Sequence, residues 1–355
     1  MKKIGILTFQ YPENRNFGAS LQSYAHLNLI RKINNNVKIL NYYRDTYSIK
    51  SRLVFLLEGR NFERYNKKFL NLTKKIEKKD KLEFLNKEFD IFIVGSDQVW
   101  RTIWFKDVAK HYFFDFVDDN KKKIAYAASF GVDFWEGDKK LTEEIKSLIK
   151  RFNAISVREE SGVYICKDTF GIDDTVCVLD PTLMISKEEY QPILDEWKDK
   201  SHLNNKYIAH MLLDDTLTLK EESKKIADYF EAEINYIKGK TVKILGKSLT
   251  FYNKVSQWLT YLKDAELVIT DSFHCTVFSL IFHKKFVVVA NPSRGTARLE
   301  TLLGKVGLKD RFFTNIEDVM KSGILDKEID YNEIDKKLEV HRKYSMEFLK
   351  KALEE

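Results

Sequence analysis

Short apolar runs bounded by polar residues recur along the chain. Most are followed by stretches in which apolar residues return every three or four positions. The first pattern reads as a buried parallel strand, the second as a helix laid over it. In the first half, strands are predicted at Ile4–Phe9, Val37–Tyr42, Phe89–Val94, Lys123–Ala128, Ala154–Val157 and Thr175–Leu179. Helices are predicted from Leu21 to about Ile33, at Leu141–Phe152 and at Glu159–Thr169. The second half repeats the rhythm, with strands at Tyr207–Leu213, Ile234–Ile237, Glu266–Ile269 and Phe286–Ala290. Its helices are Leu219–Phe230, Ser256–Lys263, one opening near Phe273, and Gly295–Val306. This alternation predicts an α/β chain of two Rossmann-like doubly wound domains facing across a cleft. The expected domains are 1–185 and 186–330. A charged helix from Tyr331 to Leu353, within 331–355, is expected to pack back on the first domain.

One segment breaks the rhythm. Residues 45–87 are basic, and from Arg60 to Lys81 nine Lys/Arg stand against three Asp/Glu, so that stretch carries a clear positive excess. Phe62, Tyr65, Phe69, Leu72 and Ile76 recur at helical spacing, which predicts one or two amphipathic helices inserted between sheet strands. Such a helix reads either as a solvated face or as a contact for anionic lipid or a diphosphate.

A chain of 355 residues is long enough for two cores, and 44% hydrophobic with 32% charged residues fits a globular protein. The net charge of +7 favours anionic ligands or a membrane surface only weakly, because acids are also numerous, and it does not argue for nucleic acid. Cys166, Cys177 and Cys275 form no metal-type pair and read as free thiols of a reducing compartment. The first apolar run is too short for a secretory signal, and no run approaches the ~20 residues of a membrane span. The expected location is cytoplasmic, with at most peripheral contact at the inner face of the cell membrane.

Several motifs are absent: G-x-G-x-x-G, H-E-x-x-H, C-x-x-C and G-x-S-x-G. Gly246-Lys247-Ser248 resembles the end of a phosphate-binding loop, but position 241, where the leading glycine should stand, is Thr241. No metal site is expected. The chemistry instead gathers at predicted strand ends, where ligands sit in open α/β sheets. His274 falls in the first turn of a helix just after a strand, where backbone amides attract anions and the dipole favours the neutral imidazole. Past the next strand come Arg294, Gly295 and Arg298, with two guanidinium groups suited to carboxylate or phosphate. Arg158 ends another strand and reads either as a functional cation or as a surface residue paired with Glu159 or Glu160. Asn16 and Gly18 follow the first strand, in a loop that also holds Asn14; they form either an ordinary turn or a close approach to a ligand. Asp97, Gln98 and Trp100 offer hydrogen bonds and an aromatic platform suited to a sugar.

At these residues the chain resembles the polysaccharide pyruvyl transferase family. The matching pieces are Asn16-Phe17-Gly18-Ala19-Ser20-Leu21-Gln22-Ser23-Tyr24-Ala25, Gly95-Ser96-Asp97-Gln98-Val99-Trp100, Ser129-Phe130-Gly131, Ser156-Val157-Arg158-Glu159, Asp180-Pro181-Thr182 and Thr270-Asp271-Ser272-Phe273-His274. They stand in the family's order over residues 4 to 300. The resemblance implies a GT-B-like arrangement, phosphoenolpyruvate as donor, and no cofactor. It implies a sugar acceptor with two nearby hydroxyls, in a surface polysaccharide or its lipid-linked precursor, and a cyclic pyruvate ketal as product. Carried over by position, Arg158, His274 and Arg294 match the family's functional basic residues. Donor contacts are then expected from Ser272, Gly295 and Arg298, and acceptor contacts from Asn16, Gly18, Asp97, Gln98, Trp100 and Ser129 in the first domain. Many members carry Arg two residues before the histidine; this chain has Ser272, and Arg298 is expected to compensate. The competing expectations are a nucleotide-sugar glycosyltransferase of similar shape and a carbohydrate-binding protein without activity.

Overall fold

The computed structural model describes residues 2–12, 15–43, 60–77, 80–198, 205–214, 216–244 and 247–354. Contacts divide the chain into two compact units, one of Met1–Val54, Glu63–Ile185 and Glu339–Glu355, the other of Phe55–Phe62 and Ser186–Leu338.

The first unit is built on β1 (Ile4–Leu7), β2 (Val37–Ile39), β3 (Tyr42–Tyr43), β4 (Ile76–Glu77), β5 (Ile91–Val94), β6 (Lys122–Ala128), β7 (Ala154–Val157) and β8 (Val176–Cys177). Six of these form one sheet in the order β2-β1-β5-β6-β7-β8, with parallel pairing throughout. Every residue of β1 and β5 is buried, because both faces of the sheet are covered. The helix Phe17–Arg31 is buried on nearly every side, with Gln22, Ser23 and His26 among its buried residues. Residues 105–116 contribute Phe105, Tyr112, Phe113, Phe114 and Phe116 to the buried core, with Trp100 stacked on Phe113 at 5.1 Å. The terminal helix Tyr331–Glu354 ends in this unit, where the hydroxyl of Ser345 accepts a hydrogen bond from the Leu179 amide and Arg342 donates to the Leu183 carbonyl.

Of the expected basic insertion, residues 45–59, 78 and 79 lie outside the described residues. The remainder is only partly helical. The helix Arg60–Phe69 buries Phe62 and Tyr65 and exposes Arg64, Lys67 and Lys68, while Ile76–Glu77 forms a strand paired with Tyr42–Tyr43. The helix is fixed by specific bonds, from Tyr65 to the Ser20 carbonyl and from Asn66 to the Gln10 carbonyl.

The second unit holds β9 (Tyr207–Met211), β10 (Glu233–Tyr236), β11 (Gly239–Ile244), β12 (Lys247–Tyr252), β13 (Leu267–Thr270), β14 (Lys285–Val289) and β15 (Phe312–Phe313). Its five-stranded parallel sheet runs β10-β9-β13-β14-β15, so the strand order reverses between β9 and β13. The pattern of apolar runs did not reveal β11 and β12, which pair antiparallel from Gly239↔Tyr252 to Ile244↔Lys247. Gly239 adopts φ +126°, and a Cβ there would lie 2.2 Å from the Phe251 carbonyl oxygen, so the start of this ribbon requires glycine. Gly246, part of the rejected phosphate-loop match, lies outside the described residues.

Candidate functional site

The reversal of strand order in the second unit leaves the carboxyl ends of β9, β13 and β14 side by side, and the expected donor residues gather there. Thr270 ends β13, and its hydroxyl accepts a hydrogen bond from the Ser272 amide, which turns the chain into the helix Phe273–Ile281. His274 therefore stands in the first turn of a nine-residue buried helix, against the edge of the Phe273 ring at 5.3 Å. Ser272 occupies the N-cap position without a side-chain cap bond.

Beyond β14, Pro292–Arg294 makes one tight turn, closed by Gly295 at φ +78°. Arg294 lies there, and its guanidinium grips Asp214 with two bonds, Nε to Oδ2 at 2.9 Å and Nη2 to Oδ1 at 2.7 Å. The hydrogen bonds from Arg294 hold the Asp214 carboxyl well below the usual range and raise the arginine in return. The Ser293 hydroxyl donates to Asp214 at 3.2 Å. Asn291 bridges the strand ends, its amide donating to Asp214 at 3.0 Å and to Asp271 at 2.7 Å. Asp271 in turn accepts the Leu213 amide at 2.8 Å, but burial outweighs these bonds and pushes its carboxyl up. Arg298, in the helix Ala297–Val306, donates Nη2 to the Arg294 carbonyl at 3.0 Å. Asp214 and Asn291 drew no attention in the sequence, and Asp271 entered only within the matching piece around His274. The one available signal was an Asp pair at the end of the strand that begins at Tyr207, the same strand-end position that singled out His274.

The corresponding ends of the first unit hold a second polar network, which differs from expectation. Arg158 is not a surface residue. Its side chain is 1% exposed, with Nη1 2.8 Å from Asp180, which is 0% exposed, and Nη2 3.6 Å from Asp97. The guanidinium thus faces buried carboxylates in an internal charge pair. Asp180 also accepts the Ser96 hydroxyl at 2.6 Å and both the amide and hydroxyl of Thr182. Glu159, wholly buried, accepts the Ser129 hydroxyl and the Phe130 and Gly131 amides, so Ser129 is occupied in holding a strand-end loop.

Trp100 is also corrected. It is fully buried, its indole N–H donates to the Tyr112 carbonyl at 2.9 Å, and it offers no platform to a sugar. Asp97 takes a left-handed backbone at φ +75°, and its carboxylate accepts the Gln98 amide at 2.8 Å. Gln98 is buried against Gly131, where an added Cβ would meet its Oε1 at 2.2 Å. Asn16 caps the helix Phe17–Arg31 by accepting the Ala19 amide at 3.1 Å, and Gly18 lies inside that helix and not in a loop. Asn14 lies outside the described residues.

Among the described residues no group of three or more His, Cys, Asp or Glu side chains could hold a metal ion. No helix among them is long and apolar enough to cross a membrane.

A family model described as polysaccharide pyruvyl transferase matches residues 16–293. No curated protein matches the sequence. Among solved structures the chain is similar to UDP-GlcNAc 2-epimerase from Neisseria meningitidis, with 10% identity, a TM-score of 0.56, and coverage of 99% of this chain and 100% of that one. It is similar to UDP-N-acetylglucosamine 2-epimerase from Rickettsia bellii, with 11% identity, a TM-score of 0.52, and coverage of 98% and 96%. It is also similar to the Methanocaldococcus jannaschii UDP-GlcNAc 2-epimerase, with 15% identity, a TM-score of 0.51, and coverage of 96% and 99%. At these identities the likeness speaks to fold, which is α/β and GT-B-like.

Proposed function

Because this chain belongs to the polysaccharide pyruvyl transferase family, we propose that it moves the pyruvyl group of phosphoenolpyruvate onto two hydroxyls of a sugar. The sugar belongs to a surface polysaccharide or its lipid-linked precursor. The product is a cyclic ketal, and phosphate is released. The observation that carries this reading is the placement of His274, Arg294 and Arg298 just past the ends of two hydrogen-bonded strands, β13 and β14.

The donor carries a phosphate and a carboxylate. Arg294, its orientation fixed by Asp214, and Arg298 are suited to these oxygens, together with amides of the first turn of the helix Phe273–Ile281. Protonation of the donor methylene makes C2 electrophilic. A sugar hydroxyl attacks C2 and loses its proton, the C2–O bond to phosphate breaks, and a second hydroxyl closes the ring and loses its own. His274 is assigned the proton transfers, a role worth roughly 10²–10⁴-fold in rate. Ser272 and Gly295 flank the donor. Arg158 acts through the loops it holds and not by touching the donor.

The test is release of phosphate from phosphoenolpyruvate in the presence of a panel of nitrophenyl and lipid-linked sugars, with the ketal read by mass. His274→Ala should lose phosphate release by two orders of magnitude or more while circular dichroism stays that of the parent. Turnover at the parent rate would remove His274 from the reaction. Failure of the parent protein to release phosphate with every acceptor would remove the reaction.

A further inference from the structure

The positive charge of this chain is not spread evenly over it. Residues 44–81 hold twelve Lys/Arg against five Asp/Glu, a net of +7, which equals the net charge of all 355 residues, so the rest of the chain balances. Within that stretch the first unit shows a fixed cationic face. Arg64, Lys67 and Lys68 are exposed on the helix Arg60–Phe69, whose other side buries Phe62, Tyr65 and Asn66. Tyr65 ties the helix to the Ser20 carbonyl and Asn66 ties it to the Gln10 carbonyl. The chain then runs along the edge of β2, where the Ile39 amide donates to the Asn71 carbonyl at 2.9 Å and the Thr73 amide to the Ile39 carbonyl at 3.0 Å. It presents Lys74 and Lys75 there, both exposed. Lys67 meets Glu63 at 2.6 Å and Lys75 meets Glu77 at 3.5 Å, in solvent-exposed pairs of the kind worth little. Arg64 and Lys74 make no ion pair among the described residues. The proposed transfer uses none of these side chains.

We propose that Arg64, Lys67, Lys68 and Lys74 form a docking surface for the anionic headgroup layer of a lipid bilayer. Each Lys or Arg near an anionic leaflet strengthens attachment about fivefold, and a face already fixed by backbone bonds loses little freedom on contact. A sugar or a base would need an exposed ring to stack on, and the rings of this helix face inward. Phe62 and Tyr65 are buried, and Phe69 packs against Tyr24 at 6.0 Å and Tyr65 at 5.1 Å. A soluble polyanion would need no apolar partner, whereas the sequence sets Leu53-Val54-Phe55-Leu56-Leu57 just before the helix, a mixture of apolar and basic residues suited to a membrane interface. This surface stands apart from the proposed reaction, because it concerns where the chain docks and not what it transfers.

The full chain is sedimented with vesicles of phosphatidylcholine alone and of phosphatidylcholine mixed with phosphatidylglycerol. It should pellet with the anionic vesicles only, and less so as salt is raised. Arg64→Gln with Lys68→Gln and Lys74→Gln should weaken that binding by about a hundredfold, with circular dichroism unchanged. The control is Lys139→Gln with Lys140→Gln and Lys150→Gln, three exposed lysines of the same unit on or beside the helix Lys139–Ile149. It removes the same charge and should leave binding close to that of the parent. The proposal is overturned if the parent ignores anionic vesicles, if it pellets equally with phosphatidylcholine alone, or if the two triple variants weaken binding alike, since bulk charge then accounts for it. Binding of dextran sulfate but not of vesicles, lost in the first variant, would assign the face to a soluble polyanion and overturn the bilayer reading. A parent protein that pellets with anionic vesicles yet releases no phosphate would sink the proposed reaction and leave this surface standing.

Discussion

Arg158 offers the sharpest test of the reasoning, because its predicted effect is on stability before it is on activity. Replacing it with Met keeps most of the side-chain volume and removes the charge together with the N–H donors. Asp180, with a side chain 0% exposed, and Asp97, at 8%, then lose their counter-charge in the interior. Breaking a buried pair by removing one partner typically costs about 3–5 kcal/mol. Asp180 retains three hydrogen bonds from Ser96 and Thr182, which places the expected loss near the lower figure, about 3 kcal/mol. A domain stable by about 5–15 kcal/mol would show that plainly. The assay is urea unfolding followed by tryptophan fluorescence, with midpoints compared between variants because two units need not unfold in one step. Adding Asp180→Asn to Arg158→Met should recover part of the loss, since the orphaned charge is then gone. If Arg158→Met unfolds at the parent midpoint while phosphate release falls, the guanidinium acts at a ligand and the assignment to an internal pair is wrong.

Trp100→Ala should destabilise the protein by about 3–5 kcal/mol, as for other large-to-small changes in a packed aromatic core; a variant of parent stability that fails only to bind acceptor would restore the sugar platform. Asp271 gives a pH signature. Burial raises its folded-state pKa, so the stability it contributes is complete below the ordinary carboxylate value of about 3.9 and is lost as pH rises through the raised value. The deficit of Asp271→Asn relative to the parent should therefore shrink as pH rises from about 4 to 7, and a deficit that grows over that range would contradict the burial argument.

The strands were legible because both sheets are parallel and covered, which writes each strand as a continuous apolar run; Ala154–Val157 stands where the pattern put it, and most others moved only at their ends. The β11–β12 ribbon escaped because an antiparallel pair of alternating Lys, Thr, Val and Leu positions has no such run. At the site, position along a strand singled out His274, Arg294 and Arg298, but it carried no information about what each side chain faces. Arg294 meets Asp214, 80 positions earlier, and Arg158 meets Asp180, 22 positions on. Trp100 was misread for the same reason. An indole after a strand end can turn outward to a ligand or inward to a carbonyl, and only the packing of Phe113 and Tyr112 decides.

Both units pin an arginine near a strand end with an aspartate from elsewhere in the sheet, yet the two pairs differ in what they leave accessible. Arg158 is 1% exposed, whereas Arg294 is 41% exposed beside an equally open Asp214. A carboxylate that holds a guanidinium in place removes much of the roughly 2 kcal/mol of side-chain freedom that an anion would otherwise have to fix on binding. It also cancels most of the charge that would draw the anion in. Ser272, at the N-cap of the helix after β13, brings no charge of its own. Under the proposed reaction, recognition of the donor then depends on the fixed geometry of Arg294, Arg298 and the helix amides more than on long-range attraction. A site of that kind gains little from low salt.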